Sequence, residues 1–256
     1  MKLFKKIGII SIVLFSFYYT EQIANFVLES NHLYKEIDEK KERFEVKSIA
    51  AVIEDDYIIP GLTGLTVNIK DSYYNMKSLN VFNSYYLVYK DAWPVVSIND
   101  NKDKIIRQGN KEKNSIALVL EYDEKIIEYL KKYNFSVLTN MNTFDKTASY
   151  EQINNEVGSF KRLESLINKY VTNPNICIIN SRNESVCREN KKFLVDPNKI
   201  LSDSTVLSLK DNIESGDIIL IEKNTKLNNV ETILKSILYK DYKINFLSNH
   251  ISEERD

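Results

Sequence analysis

Histidine is nearly absent: His32 and His250 are the only two in a chain of 256 residues. Metal centres built on two histidines of one loop are therefore excluded by ligand supply alone. Glycine numbers six, with no G-x-G-x-x-G and no Walker A run, so phosphate-cradling glycine loops are excluded as well. Charge of one sign is also missing: the net charge is −1 with both signs interspersed, which leaves no nucleic-acid footprint. Cysteine occurs twice, at Cys177 and Cys187. Outside the cytoplasm this spacing allows a disulfide closing a small loop, worth about 2–3 kcal/mol. Two partly buried free thiols are the alternative, and sequence leaves the choice open. With 43% hydrophobic and 28% charged residues, the chain reads as a folded protein rather than a disordered one.

The N-terminus carries the first positive signal. Lys2, Lys5 and Lys6 precede an apolar and weakly polar run from Ile7 to Tyr19. Extended to Ile23 with interfacial residues, the run predicts a signal anchor over residues 1–23, with the remainder outside a membrane. A cleaved signal peptide competes, but Gln22-Ile23-Ala24 is a weak cleavage site. Ile23, Phe26, Val27, Leu33, Tyr34 and Ile37 then recur at three- and four-residue spacing, which predicts an amphipathic stalk helix over residues 24–45.

Residues 46–111 read as a β-rich segment with turn chemistry at Pro60-Gly61 and Gly64. Its aromatic residues, Tyr73 to Trp93, offer either a sugar-stacking platform or, as is commoner at strand positions, packing against the domain beneath. From residue 112 the rhythm turns to β then α. Continuous apolar strands at Ser115–Leu120, Phe135–Thr139, Ile176–Ile179, Asp217–Ile221 and Lys243–Leu247 alternate with helices at Glu124–Tyr133, Phe160–Val171 and Asn228–Leu238. That pattern predicts an α/β domain with a mainly parallel sheet, either a barrel or an open sheet.

Two segments carry a resemblance. Ser115-Ile116-Ala117-Leu118-Val119-Leu120-Glu121-Tyr122, followed by a helix ending Leu130-Lys131-Lys132-Tyr133, is one. Gly216-Asp217-Ile218-Ile219-Leu220-Ile221-Glu222 with Tyr242-Lys243-Ile244-Asn245-Phe246-Leu247-Ser248 is the other. They resemble the opening and closing motifs of the polysaccharide deacetylase (NodB-homology) family. The resemblance implies a deformed (β/α) barrel over residues 112–256. It also implies a groove at the C-terminal strand ends, where a metal held by Asp-His-His activates water. This chain departs from the motifs at the positions that carry the chemistry. The two opening aspartates fall on Glu121 and Tyr122, the closing histidine on Glu222, and the histidine pair on Asn180 to Glu184. The R-x-P substrate motif has at best Leu194-Val195-Asp196-Pro197, without its arginine. No metal and no other cofactor is expected.

The expected function is accordingly a membrane-anchored, catalytically inactive deacetylase-like module that binds cell-wall glycan or a protein partner. Tyr122, Asp123, Asn180 and Glu184 would line its groove mouth. An altered hydrolase using Glu121 and Glu222 as acid and base is the second expectation. An anchored assembly protein with no sugar ligand is the third. Oligomeric state is not legible.

Overall fold

Asparagine side chains punctuate the first part of the chain. Helix α1 (Lys2–Glu29) stops at Ser30, and Asn31 accepts the Leu33 N–H at 2.9 Å to cap a second helix, α2 (His32–Lys40). Strands β1 (Val52–Glu54), β2 (Tyr57–Ile59) and β3 (Gly64–Val67) follow. Asn68 then caps α3 (Ile69–Met76), and β4 (Tyr89–Ala92) pairs antiparallel with β3. The computed structural model describes residues 2–140, 142–154 and 175–255.

The chain divides into two units: Met1–Lys47 with Gly64–Ala92, and Ser48–Thr63 with Trp93–Asp256. In the smaller unit, Leu33 and Ile37 of α2 enter a core with Val67, Tyr73, Met76 and Leu87. The expected stalk is therefore split in two. Its second half is a packed helix because its apolar stripe has a sheet and a helix to cover. Tyr73 is buried, meeting Tyr34 and Tyr74 edge-on at 5.9 and 5.6 Å, whereas Tyr85 is 93% exposed.

Along α1, the side chains of Ile12, Phe17 and Phe26 are each about 70% exposed. Among the described residues no helix is long and apolar enough to cross a membrane. The expected transmembrane span is therefore not supported by this helix. The uninterrupted run Ile7–Tyr19 covers 13 residues, roughly 20 Å at 1.5 Å per residue against a hydrocarbon core of about 30 Å.

The larger unit holds two sheets. One has five strands in the order β1-β2-β5-β10-β9, built from the β1–β2 hairpin with β5 (Ile105–Ile106), β9 (Ile176–Ile178) and β10 (Phe193–Val195). The other is parallel throughout. In it β11 (Lys199–Leu201), β12 (Ile218–Ile221), β6 (Ser115–Glu121), β7 (Ser136–Thr139) and β8 (Glu151–Asn154) lie in that order. Strand β13 (Lys243–Asn245) pairs with the first half of β6, on Ser115 to Ala117.

Alternation along β6 sorts its side chains into two cores. Ala117 and Val119 face an interior shared with Ile58, Ile106, Ile178 and Val195 of the other sheet. Ile116, Leu118 and Leu120 face the helices α4 (Glu124–Leu130) and α7 (Leu227–Tyr239). Helices α5 (Glu184–Glu189), α6 (Val206–Asp211) and α8 (Leu247–Ile251) complete the described set. The mixed α/β architecture agrees with the expectation. Among the described residues, though, the strands form two sheets around one interior instead of a single closed ring. The expected helix Phe160–Val171 lies outside the described residues.

Two features fasten the larger unit. Cys177 on β9 and Cys187 on α5 form a disulfide, with Cα atoms 6.3 Å apart. Near the C-terminus, the buried Glu253 carboxylate accepts the Gly61 and Ile98 N–H groups at 3.0 and 3.1 Å and the Ser97 hydroxyl at 2.7 Å. No side chain fits at Gly61, where a Cβ would lie 2.4 Å from the Ile49 carbonyl oxygen.

Glu253→Ala is expected to lower the unfolding free energy by about 2–4 kcal/mol, because three buried donors lose a charged acceptor. Urea unfolding of the variant beside Glu253→Gln, which keeps an acceptor oxygen, measures this. Reducing the disulfide is expected to cost about 2–3 kcal/mol for so short a loop; an unchanged urea midpoint in reductant would remove it from the account.

Candidate functional site

At the C-terminal edge of the parallel sheet, pairing of Leu120 with Ile221 sets Glu121 beside Glu222 on adjacent strands, with backbones about 5 Å apart. Both fall on the interior side: Glu121 by alternation with Ala117 and Val119, Glu222 with Ile218 and Leu220. Glu121 Oε2 accepts the Lys223 N–H at 2.8 Å, tying the two strand ends together. Glu222 stands exposed, and no side-chain partner is found for it among the described residues.

Tyr122 falls on the other face. Its ring packs against the outer core beneath α4 and α7, and its hydroxyl reaches Glu124 Oε1 at 3.4 Å. Burial, reinforced by the Glu124 carboxylate, pushes its phenol above the ordinary tyrosine range. Tyr122 is therefore a neutral hydrogen-bond donor at physiological pH and not a phenolate ligand. Asp123 caps α4, accepting the N–H groups of Lys125 and Ile126 at 3.0 and 3.3 Å.

The neighbouring carboxylates are bound to the chain in the same way. Asp203, after β11, accepts the Lys226 N–H at 3.0 Å and the Asn229 amide at 2.7 Å at the start of α7. The Lys226 N–H, ahead of the other contacts, holds its carboxyl below the usual range. Asp145, after β7, is lowered by the backbone and hydroxyl of Thr147. Sequence reading passed over Asp203, although Ser202-Asp203-Ser204-Thr205 has the composition of a helix-start signal.

No hydrogen bond or ion pair among the described residues links Asn180 or Glu184 to these groups. Both residues follow β9, a strand of the five-stranded sheet, and the structure gives them local work. Asn180 and Asn183 close a reciprocal turn, with Asn180 Oδ1 accepting the Arg182 N–H at 2.9 Å and Asn183 Oδ1 the Asn180 N–H at 2.8 Å. Glu184 pairs with Arg188 one helical turn on, at 2.7 Å. Within Leu194-Val195-Asp196-Pro197, Asp196 pairs with Arg107, whose Nε lies 3.3 Å from Asp196 Oδ2 and whose guanidinium sits 4.2 Å from the centre of the Tyr57 ring.

His250 lies at the opposite edge. Buried under the first residues of the strands, its Nε2 faces the Gly216 carbonyl at 3.0 Å and its Nδ1 faces the Ser115 hydroxyl at 2.9 Å. The carbonyl can only accept, so Nε2 carries the proton and donates. Ser115 and Glu121 are the two ends of β6, a separation of roughly 20 Å along an extended strand. Among the described residues, no three His, Cys, Asp or Glu side chains converge as metal ligands. The donor set at this edge does not fit the Asp-His-His metal that the family resemblance implies.

No family model matches the chain. A protein of Bacillus subtilis (strain 168), YlxY, described as uncharacterized, is 35% identical over 108 residues, 40% of this chain and 34% of that protein. The match thus spans about a third of the relative's length. Among solved structures, wild-type BA3943 is described as a CE4 family pseudoenzyme from Bacillus anthracis. It superposes with a TM-score of 0.55 at 18% identity, covering 88% of this chain and 96% of its own. The chain has a CE4-like fold. A BA3943 mutant described as having restored enzymatic activity gives the same TM-score and identity over 88% of this chain and 99% of its own. The CE4-like likeness agrees with the deacetylase resemblance in the opening and closing motifs, and it establishes fold only.

A structural role for Asp123 and a solvated Glu222 make opposite predictions for alanine substitution. Asp123→Ala is expected to lower stability by about 1 kcal/mol through loss of the helix cap. Glu222→Ala should stay within about 0.5 kcal/mol of the parent. Thermal or urea unfolding of both variants checks the contrast.

Proposed function

We propose that this chain is a catalytically inactive, deacetylase-like module that acts by binding, held at a membrane by α1 on the extracytoplasmic side. One observation carries the inactivity: the groove edge, where the family places its metal, holds carboxylates bonded to the chain's own N–H groups, while His250 is fixed at the far end of β6. BA3943, itself described as a pseudoenzyme, supports the same reading by analogy. The exposed apolar side chains of α1 support lipid association, and the Cys177–Cys187 disulfide supports an oxidising compartment. Cell-wall glycan is the ligand class most in keeping with the fold.

Acid–base hydrolysis by Glu121 and Glu222 is the weaker reading. Such a pair needs one carboxyl shielded from water in an apolar setting, whereas Glu222 stands in water and one Glu121 oxygen already accepts the Lys223 N–H.

The test is metal content together with deacetylase activity of the detergent-solubilised full chain on an N-acetylated chitooligosaccharide. Zinc far below one equivalent and no turnover are expected, and Tyr122→Asp should not change either result, because that position points toward the outer core. Stoichiometric metal with turnover abolished by Glu121→Gln would overturn the inactive reading.

A further inference from the structure

The groove edge is not the only concave surface of the larger unit. A pocket of about 300 Å³ opens at the other end of the strands. Ile176 and Phe193, the first residues of β9 and β10, form part of its wall. Ser248 forms another part. Its N–H reaches the Glu151 carboxylate at 3.2 Å, and that carboxylate also accepts the Ser136 hydroxyl. Ser136 and Glu151 open β7 and β8, so the pocket sits at the N-terminal edge of the sheet, away from Glu121 and Glu222.

The floor is rigid. Ile98, Ile176 and Ile251 are all at most 4% exposed, and the Glu253 carboxylate beneath is saturated by its three donors. At the rim stands Trp93, 55% exposed and the only tryptophan of the chain. Phe193 is less available as a platform, because Lys102 Nζ covers its ring at 4.9 Å. The side chains of Asn99, Ser248 and Asn249 line the same pocket, and no hydrogen bond within the described chain engages any of their polar side-chain atoms.

We propose that this pocket binds one ring of an uncharged saccharide. A pyranose offers an apolar C–H face and a rim of hydroxyls, which is the complement of a half-exposed indole beside two amides and one hydroxyl. The free polar groups are neutral and both donate and accept, as sugar hydroxyls require. An anionic ligand is disfavoured by the Glu253 and Glu254 carboxylates in the lining. The proposal shares the glycan class with the function proposed above but does not rest on the absence of catalysis. It moves recognition to the edge opposite the groove.

Because Trp93 is the sole tryptophan, its emission reports this pocket alone. Titration of the full chain with fully N-acetylated chitotetraose is expected to give a saturable shift in that emission, with the apparent Kd raised at least tenfold in Asn249→Ala and in Asn99→Ala. Trp93→Ala, followed by calorimetry, should lose binding to the same extent while its melting temperature shows it folded. Glu121→Gln should bind as the parent does. Absence of both emission change and heat up to several millimolar sugar would overturn the proposal. So would binding that survives the three pocket variants and is lost in Glu121→Gln, an outcome that places glycan at the groove edge and leaves the inactive reading intact. Turnover of the sugar would instead sink the inactive reading without touching the pocket.

Discussion

The parallel pairing of β6 is the constraint on which the larger unit depends. On one side β6 holds β12 from Ala117 to Leu120, and on the other it holds β13 over its first three residues and β7 over its last three. Its seven residues are all buried except the last, and they feed two cores in alternation. A shift of one residue would exchange Ile116, Leu118 and Leu120 with Ala117 and Val119, turning large side chains into the space for small ones. The register that prevents this also sets every distance at both edges of the sheet.

The same alternation decides the chemistry. One residue past β6, a side chain is directed either to the interior mouth or to the outer layer, and Tyr122 goes outward, where its ring has apolar neighbours to cover. A metal-binding carboxylate at that point would have to leave this packing. At the mouth, Glu121, Asp123 and Asp203 accept backbone N–H groups that would otherwise be orphans at strand ends and helix starts. Carboxylates that satisfy such donors are structural elements, and releasing them to a substrate would cost the loops their anchors. His250 is equally committed. Gly109 approaches it so closely that a Cβ there would lie 2.5 Å from Nε2, which fixes the ring in its slot.

How much of this was legible follows from what each signal depends on. Ser115–Glu121, Ile176–Ile178 and Ile218–Ile221 were readable because a strand buried on both faces is a continuous apolar run. Strand β8 was not: Glu151, Gln152 and Asn154 are polar, and all are buried by neighbours that sequence does not place. Motif spacing places Asn180 and Glu184 after β9, but it does not reveal that β9 belongs to a second sheet. The aromatic segment divided for a similar reason. Tyr73 lies on the inner face of a helix and is core, whereas Trp93 stands half-exposed at the rim of a pocket formed by distant segments.

Helix α1 obeys a different physics from the rest. Apolar side chains occupy all its sides from Ile10 to Val27, and most remain exposed. A water-facing helix of a globular unit keeps a polar face, and a helix apolar all round requires an apolar surround. Its short uninterrupted run argues against a simple span, yet exposure of side chains such as Phe15, Phe17 and Ile23 carries a transfer cost of about 25 cal/mol for every Å² left in water. The small unit does not cover these side chains, because its core is already closed by Leu33, Ile37, Tyr73 and Met76. The apolar helix and the α/β unit thus follow from separate parts of the sequence.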